Sequence, residues 1–361
     1  MNKKLLSFLS FCPLTLIMGV NADNVKTSID SDVQKPKESS RQTNLSGRPQ
    51  VKHGADLFIT ADYLLWKATE QNLNYASNIL DSTSPNADVL KGRLFNVKFN
   101  CQSGFRVGLG YNLGHDQWDT TLEWTWFRDH GSGTASSSDH GIFSTIASPV
   151  FNELINAKKA KSDIELHLNL LDWELGREFY TGKHLTVRPF GGLRTGWVNQ
   201  NWKTKYFDPG SFQQVPLNAF QVKLKQDFWG IGLRGGLDTE WHLISGLSIY
   251  GNGALSLLYG FFKDVRLENS FSNAGAKGRN LYGVNSKRCE QAITELQLGL
   301  RWDQMFSHDR FHFRIQTGWE HMMFFDHNHL FVFLDPNSAN LSEYGGNLSF
   351  QGWTTSVRFD F

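Results

Sequence analysis

From Leu57 onward the chain repeats one device: stretches in which apolar and polar residues alternate singly, joined by connections that are by turns short and long. A period of two is the signature of a strand with two unlike faces. The clearest stretch is 99–111. Phe99, Cys101, Phe105, Val107, Leu109 and Tyr111 fall on one face, with Asn100, Gln102 and Arg106 on the other. In 118–127, Trp118, Leu122, Trp124 and Trp126 oppose Asp119, Thr121, Glu123 and Thr125. Further strands are predicted at 57–67, 163–179, 185–197, 228–241, 247–259, 292–303, 311–320 and 349–361. In 163–179 the apolar parity changes at Leu170-Leu171, which predicts a β-bulge.

The short connections are 112–117, 180–183, 242–246 and 304–310. The long ones are 68–98, 128–162, 198–227, 260–291 and 321–348. Short turns on one rim and long loops on the other describe an all-β, antiparallel, up-and-down transmembrane barrel of about ten strands, with short periplasmic turns and long extracellular loops. An even strand count places both ends of the barrel on the short-turn side. The long connections leave room for further hairpins, as in Leu330–Leu334 (LFVFL), and so for up to about fourteen strands.

Membrane chemistry offers an independent check. A lipid-facing surface must be apolar, because Lys or Arg at mid-depth costs ~2–4 kcal/mol, and the apolar faces above carry almost no charge. Aromatic residues make up 14% of the chain and 12 are Trp, so their placement matters. Trp gathers at membrane–water boundaries. The topology puts Trp118, Trp241 and Trp302 at the periplasmic boundary and Trp126, Trp197, Trp229 and Trp319 near the outer one. The last strand closes on Trp353, Thr355, Val357, Phe359 and Phe361. An alternating strand ending in Phe looks like the signal read by the barrel-assembly machinery, with Trp353, Val357, Phe359 and Phe361 as its residues.

The start of the chain reads as an export signal over 1–22. Asn2-Lys3-Lys4 is charged, Leu5–Met18 is apolar, and Val20-Asn21-Ala22 provides small residues for cleavage. Residues 23–54 are polar and aperiodic and are expected to be a disordered periplasmic segment. The barrel is expected over 55–361. Lys plus Arg number 36 against 35 Asp plus Glu, a balance that excludes the basic face nucleic-acid binding needs.

Several stretches resemble the Legionella-type major outer membrane protein family: Phe58–Ala68 (FITADYLLWKA), Gly104–Trp118 (GFRVGLGYNLGHDQW), Pro189–Trp197 (PFGGLRTGW), Gly299–Trp302 (GLRW) and Gly318–Glu320 (GWE). The resemblance implies a pore-forming barrel in the bacterial outer membrane, and it carries no catalytic residues or cofactor.

The polar faces carry charges that lipid would not tolerate. Arg106, Arg188, Arg194, Arg234, Arg301, Arg314 and Arg358 share them with Glu123, Glu165, Asp238, Glu240, Glu295 and Glu320. These are expected to line the lumen, either flanking a wet path as charged rings do or pairing across a narrow barrel. The first alternative gives a porin-like channel for passive diffusion of ions and small hydrophilic solutes. The second gives a non-conducting structural or adhesive surface barrel acting through its loops.

Other chemistry is weakly signalled. Gly230, Gly232 and Gly235 fit a GxGxxG pattern, but the alternation runs on to Trp241, where a dinucleotide site needs a helix. The glycines are expected to relieve crowding in a curved strand. His321, His327 and His329 near Asp326 lack fixed metal-ligand spacing. His130, His140 and His321 lie in different loops with no nucleophile placed beside them, so the expectation is no enzyme, no metal and no cofactor. Cys101 and Cys289 either pair as a disulfide or stay free. Outer-membrane lipid is the expected surrounding, and assembly into a homo-oligomer stays open.

Overall fold

In the computed structural model, residues 45–361 are described, apart from 53, 80–91, 115, 139–140, 147–154, 210, 213–214, 245, 274–276, 334–340 and 344. The expected export signal, and residues 23–44 of the expected periplasmic segment, lie outside the described residues. Ten long antiparallel strands form a closed ring: β1 (Leu57–Glu70), β2 (Gln102–Asn112), β3 (Trp118–Ser136), β4 (Asn156–Arg177), β5 (Leu185–Pro209), β6 (Val215–Ile244), β7 (Leu247–Asn273), β8 (Lys277–Phe306), β9 (Phe311–Phe324) and β10 (Leu348–Asp360). Each pairs with the next, and β10 returns to β1 from Phe58↔Asp360 to Glu70↔Leu348.

Short turns join β2–β3, β4–β5, β6–β7 and β8–β9, as expected. The tightest depends on Gly246, whose φ of +76° a side chain would resist. A Cβ there would also lie 2.8 Å from the Asp303 carbonyl. On the strands, Gly232 permits close ladder packing: a Cβ would fall 1.9 Å from the Leu257 carbonyl oxygen. The GxGxxG glycines thus sit within β6, as the alternation required.

An outward apolar belt encircles the barrel. On β6 it comprises Ile231, Leu233, Leu237 and Trp241, and Leu233 is 70% exposed. Exposed apolar residues on this scale need a nonaqueous neighbour, and the alternating belt supplies the lipid-facing surface of a membrane barrel.

Two expectations are corrected beyond the belt. The strands do not end there: β6 and β8 each run 30 residues, roughly 75 Å along the axis at ~3.3 Å rise and ~40° tilt. Much of 198–227, 260–291 and 128–162, expected as loop, is therefore strand projecting past the apolar belt. In addition, β4 has no bulge at Leu170-Leu171. Its pairing with β3 and β5 keeps one register throughout. Ile164, Leu166, Leu168 and Leu170 point inward, whereas Leu171, Trp173 and Leu175 point out to the belt. The apolar side changes because the surroundings change, from lipid outside to a dry core inside.

Of Leu330–Leu334, the described residues 330–333 add no barrel strand. Among the described residues, Phe331–Phe333 pairs with Leu341–Glu343 in a separate ribbon. A small crown sheet of Asn74–Ile79, Gly92–Asn96 and Ile142–Ser144 joins the far end of β4.

The last residues before β1 are held in place, contrary to the expected disorder of 23–54. The Tyr180 amide donates to Leu45 O at 3.0 Å and Ser46 bridges Phe179. The Arg48 guanidinium donates to Leu113 O and Trp118 O at 3.0 and 3.1 Å, and the Lys52 amide donates to Asp309 O at 2.8 Å. This strap runs from the β4–β5 turn past the β2–β3 turn to the β8–β9 turn.

Candidate functional site: the barrel lumen

Alternation within the belt forces every second side chain into the lumen. The lower lumen, at belt depth, is lined by charge. Arg194, 2% exposed, donates from Nε and Nη2 to the two Asp172 oxygens at 2.6 Å each. Its Nη1 donates to Glu295, three strands away around the ring. Arg234 bridges Glu174 (2.8 Å) and Glu295 (2.6 Å). Arg188 holds Asp119 (2.5 Å) and Asp238 (2.9 Å). Arg106 donates to Asp62 (3.2 Å) and Glu320 (2.8 Å). Nearer the short-turn rim, Arg301 meets Glu240 at 2.5 Å and Arg314 meets Asp303 at 2.6 Å. Arg358 pairs with Asp360 (2.6 Å) and lies 3.6 Å over the Phe58 ring. His312 stands between Asp303 and Asp360, at 3.0 and 2.8 Å.

Six of these contacts, Arg194–Glu295, Arg234–Glu174, Arg234–Glu295, Arg188–Asp119, Arg106–Glu320 and Arg301–Glu240, join strands that are not neighbours, so they cross-brace the barrel. Arg is suited to this, because its planar fork binds carboxylates in a fixed geometry. The space left among them is a cavity of about 170 Å³.

Above it the lumen becomes dry. Trp66, Phe127, Phe228, Phe262, Phe324 and Phe350 are each no more than 2% exposed. Trp66, Phe127 and Phe350 pack with ring centres 5.7–6.3 Å apart, and Phe350 lies 5.9 Å from Phe324. The contact continues through His327, 5.5 Å from Phe324, to Phe228 and Phe262 at 5.2 and 5.4 Å. His327 comes from the segment after β9, which turns into the barrel. A polar string crosses beside these rings. Gln200 Nε2 donates to Glu70 at 2.9 Å, and Gln226 Nε2 is shared between Gln200 Oε1 (3.1 Å) and the His327 carbonyl (2.9 Å). His327 Nδ1 then meets Gln291 Oε1 at 2.8 Å. A water-filled path through this layer would leave its lining exposed.

Of the residues expected in the lumen, Arg106, Glu123, Arg188, Arg194, Arg234, Asp238, Glu240, Glu295, Arg301, Arg314, Glu320 and Arg358 line the cavity. Glu165 does not: it is exposed on the outer wall of β4. Its misplacement follows from the bulge that is absent. Asp62, Asp119, Asp172, Glu174 and Asp303 were missed as partners, although the same alternation places them inward. The dry layer was missed altogether: Trp66, Phe127, Phe228 and Phe350 sit at the ends of expected strands, while Phe262, Phe324 and His327 lie where loops were expected.

Trp197, Trp241, Trp302 and Trp319 are exposed on the outer wall, and Trp118, Trp126 and Trp229 are half-buried there. Phe359 stacks on Phe311 and Phe361 at 5.6 and 6.0 Å, and Trp353 packs on Trp319. Cys101 and Cys289 are free in the chain, which corrects the alternative of a disulfide within it. Cys101 adjoins β2 and Cys289 lies on β8, four strands apart around the ring. The loop histidines do not gather: His321 faces outward on β9, whereas His327 is buried in the lumen. His130 is exposed, 3.9 Å from Asp163, and His140 lies outside the described residues.

A sequence profile described as the Legionella pneumophila major outer membrane protein precursor matches residues 48–361. No curated protein matches the chain in sequence. Among solved structures, the outer-membrane protease OmpT of Escherichia coli is similar at 11% identity, covering 86% of this chain and 98% of that one, with a TM-score of 0.43. A Pseudomonas aeruginosa FadL homologue (8% identity, 84% and 89% covered) and the transport unit of the Escherichia coli autotransporter AIDA-I (8%, 86% and 92%) each score 0.27.

Proposed function

The chain belongs to the Legionella major outer membrane protein family of the bacterial outer membrane, and from that premise we propose that it is a barrel closed at rest, a surface scaffold whose working part is the extracellular projection. One observation carries this reading: the dry layer from Phe127 to Phe262, with the Glu70–Gln200–Gln226–His327 string beside it. Below that layer each of the seven arginines lining the cavity is held by carboxylates, and the space left among them is small, about 170 Å³. Ten strands also lie near the filled end of the barrel series. The charged lumen is thus a brace, and it gives the projecting strands a rigid base. The reading assigns no catalytic step.

A second reading is favoured by the same cavity. Its polar, doubly charged lining suits a porin-like diffusion path for ions and small hydrophilic solutes, the role the family resemblance implies. That path requires the segment carrying His327 to leave the lumen.

Single-channel recording of the barrel in a planar bilayer separates the two. The closed scaffold gives a silent membrane at ordinary voltages. Reproducible stepwise conductance from the unmodified protein would overturn it in favour of the porin.

A further inference from the structure

The outer wall above the belt carries charge that the fold does not use. Trp197 and Trp229 are paired across β5 and β6 at the outer edge of the belt. Farther along the same strands, outward positions become cationic. Lys203 stands directly opposite Lys223, and Lys205 directly opposite Lys161. Like charges facing each other in an antiparallel ladder oppose the pairing.

Nearby acids relieve them only in part: Asp163 stands opposite Lys203 on β4, but it pairs with Lys161 at 3.5 Å. Among the described residues, no carboxylate lies within salt-bridge distance of Lys203 or Lys205. Lys223 reaches Glu268 at 3.6 Å, but Arg279 holds that carboxylate at 2.9 Å. Lys225 is paired with Asp227 at 2.5 Å and shares Asp264 with Arg266. A groove of about 300 Å³ opens over these strands, and its lining has five cations (Lys203, Lys223, Lys225, Arg266, Arg279) against three carboxylates (Asp163, Glu165, Glu268).

Position identifies the occupant. Aromatic belts mark the membrane–water boundary. Lys203 and Lys223 lie six residues beyond Trp197 and Trp229, roughly 15 Å above them at ~3.3 Å rise and ~40° tilt. The outer leaflet of a bacterial outer membrane is built of lipopolysaccharide. Its phosphorylated and carboxylated inner sugars occupy this zone, directly above acyl chains that cover the belt. Basic clusters next to a membrane surface recognise anionic headgroups.

We propose that the β4–β8 outer wall is a lipopolysaccharide site, with Lys203 and Lys223 together holding a phosphate or carboxylate of the inner sugars. The acyl chains continue down over Leu193 and Ile231, both exposed in the belt. One anion between the two ammonium groups turns a repulsive pair into a chelate. A soluble sulfated polysaccharide matches the charge but not the continuity with the belt.

The test uses the full chain folded into phosphatidylcholine nanodiscs and fluorescent lipopolysaccharide as the probe. The paired variants are Lys203→Gln with Lys223→Gln, and Lys203→Arg with Lys223→Arg. Retention of the folded, heat-resistant band on gels shows that each variant has formed its barrel. The wild type and the Arg pair should bind alike, and the Gln pair at least tenfold more weakly. Equal binding by the Gln pair overturns the proposal. So does full displacement by equimolar inorganic phosphate, which would make this a site for a free anion, or by equimolar heparin, which would make it a polysaccharide site.

Discussion

Glu70 on β1 and Gln200 on β5 meet across the lumen, with Gln200 Nε2 donating to Glu70 Oε2 at 2.9 Å. Their strands are four places apart in the ring, so the contact is a tie-rod through the barrel. Gln200→Leu removes the donor and leaves a buried carboxyl group without it, at a cost of ~1–3 kcal/mol. Adding Glu70→Gln should recover part of the loss, because an amide is cheaper to bury than a carboxylate. Urea midpoints of the barrel in lipid vesicles measure both, and equal midpoints for wild type and Gln200→Leu would remove the tie-rod from the account.

Arg194 is the deepest brace. Arg194→Met leaves Asp172 without its bidentate partner in a buried site, and breaking such a pair costs ~3–5 kcal/mol. Glu295 keeps Arg234, so the lower end of that range is expected. The same urea titration reads it. A loss below about 1 kcal/mol would mean that water enters the lower lumen freely.

The lipid belt can be probed at Leu233, 70% exposed on β6. Leu233→Arg should cost ~2–4 kcal/mol in vesicles. Lys223→Leu, outward on the same strand beyond the belt, should change stability by no more than ~0.5 kcal/mol. If both substitutions behave alike, the assigned belt edge is wrong.

Burial pushes the His327 imidazole down to about 3, from an ordinary value of ~6.5. The folded value lies below the unfolded one, so the contribution of the neutral ring is complete above about pH 6.5. It is lost as the pH falls toward 3, at up to ~1.4 kcal/mol per pH unit. The dry layer should therefore loosen in acid. Protection factors of the 325–330 amides, the intrinsic exchange rate at each pH divided by the observed one, should fall below about pH 6, and His327→Phe should flatten that dependence. Wild-type protection factors that ignore pH would show that the ring is not buried in solution.

The membrane-embedded part of this barrel was readable because lipid imposes one rule on every strand: apolar outward, charge inward. That rule delivered ten strands, the short turns and most of the cavity lining, from Arg106 to Arg358. Beyond the belt the rule inverts. Val198, Trp202 and Tyr206 turn inward while Lys203 and Lys205 face out, and the alternation looked like loop or, in β4, like a bulge. Carboxylate partners such as Asp172 were on the correct face, yet only the ring closure shows which arginine each meets. The dry layer was illegible for a further reason. It is assembled from six strands and one reentrant segment, and no local pattern announces a contact such as Phe228 with His327.

The unbroken register of β4 has a consequence for how tolerant the strand is of insertion and deletion. Sliding it one residue against β3 or β5 would push Asp172 and Glu174 into the hydrocarbon and, in the same movement, drive Lys161 into the dry core. A single strand thus carries two opposed hydrophobic codes on one reading frame. A frame error that escapes one code is rejected by the other, so β4 proofreads its own alignment at both ends.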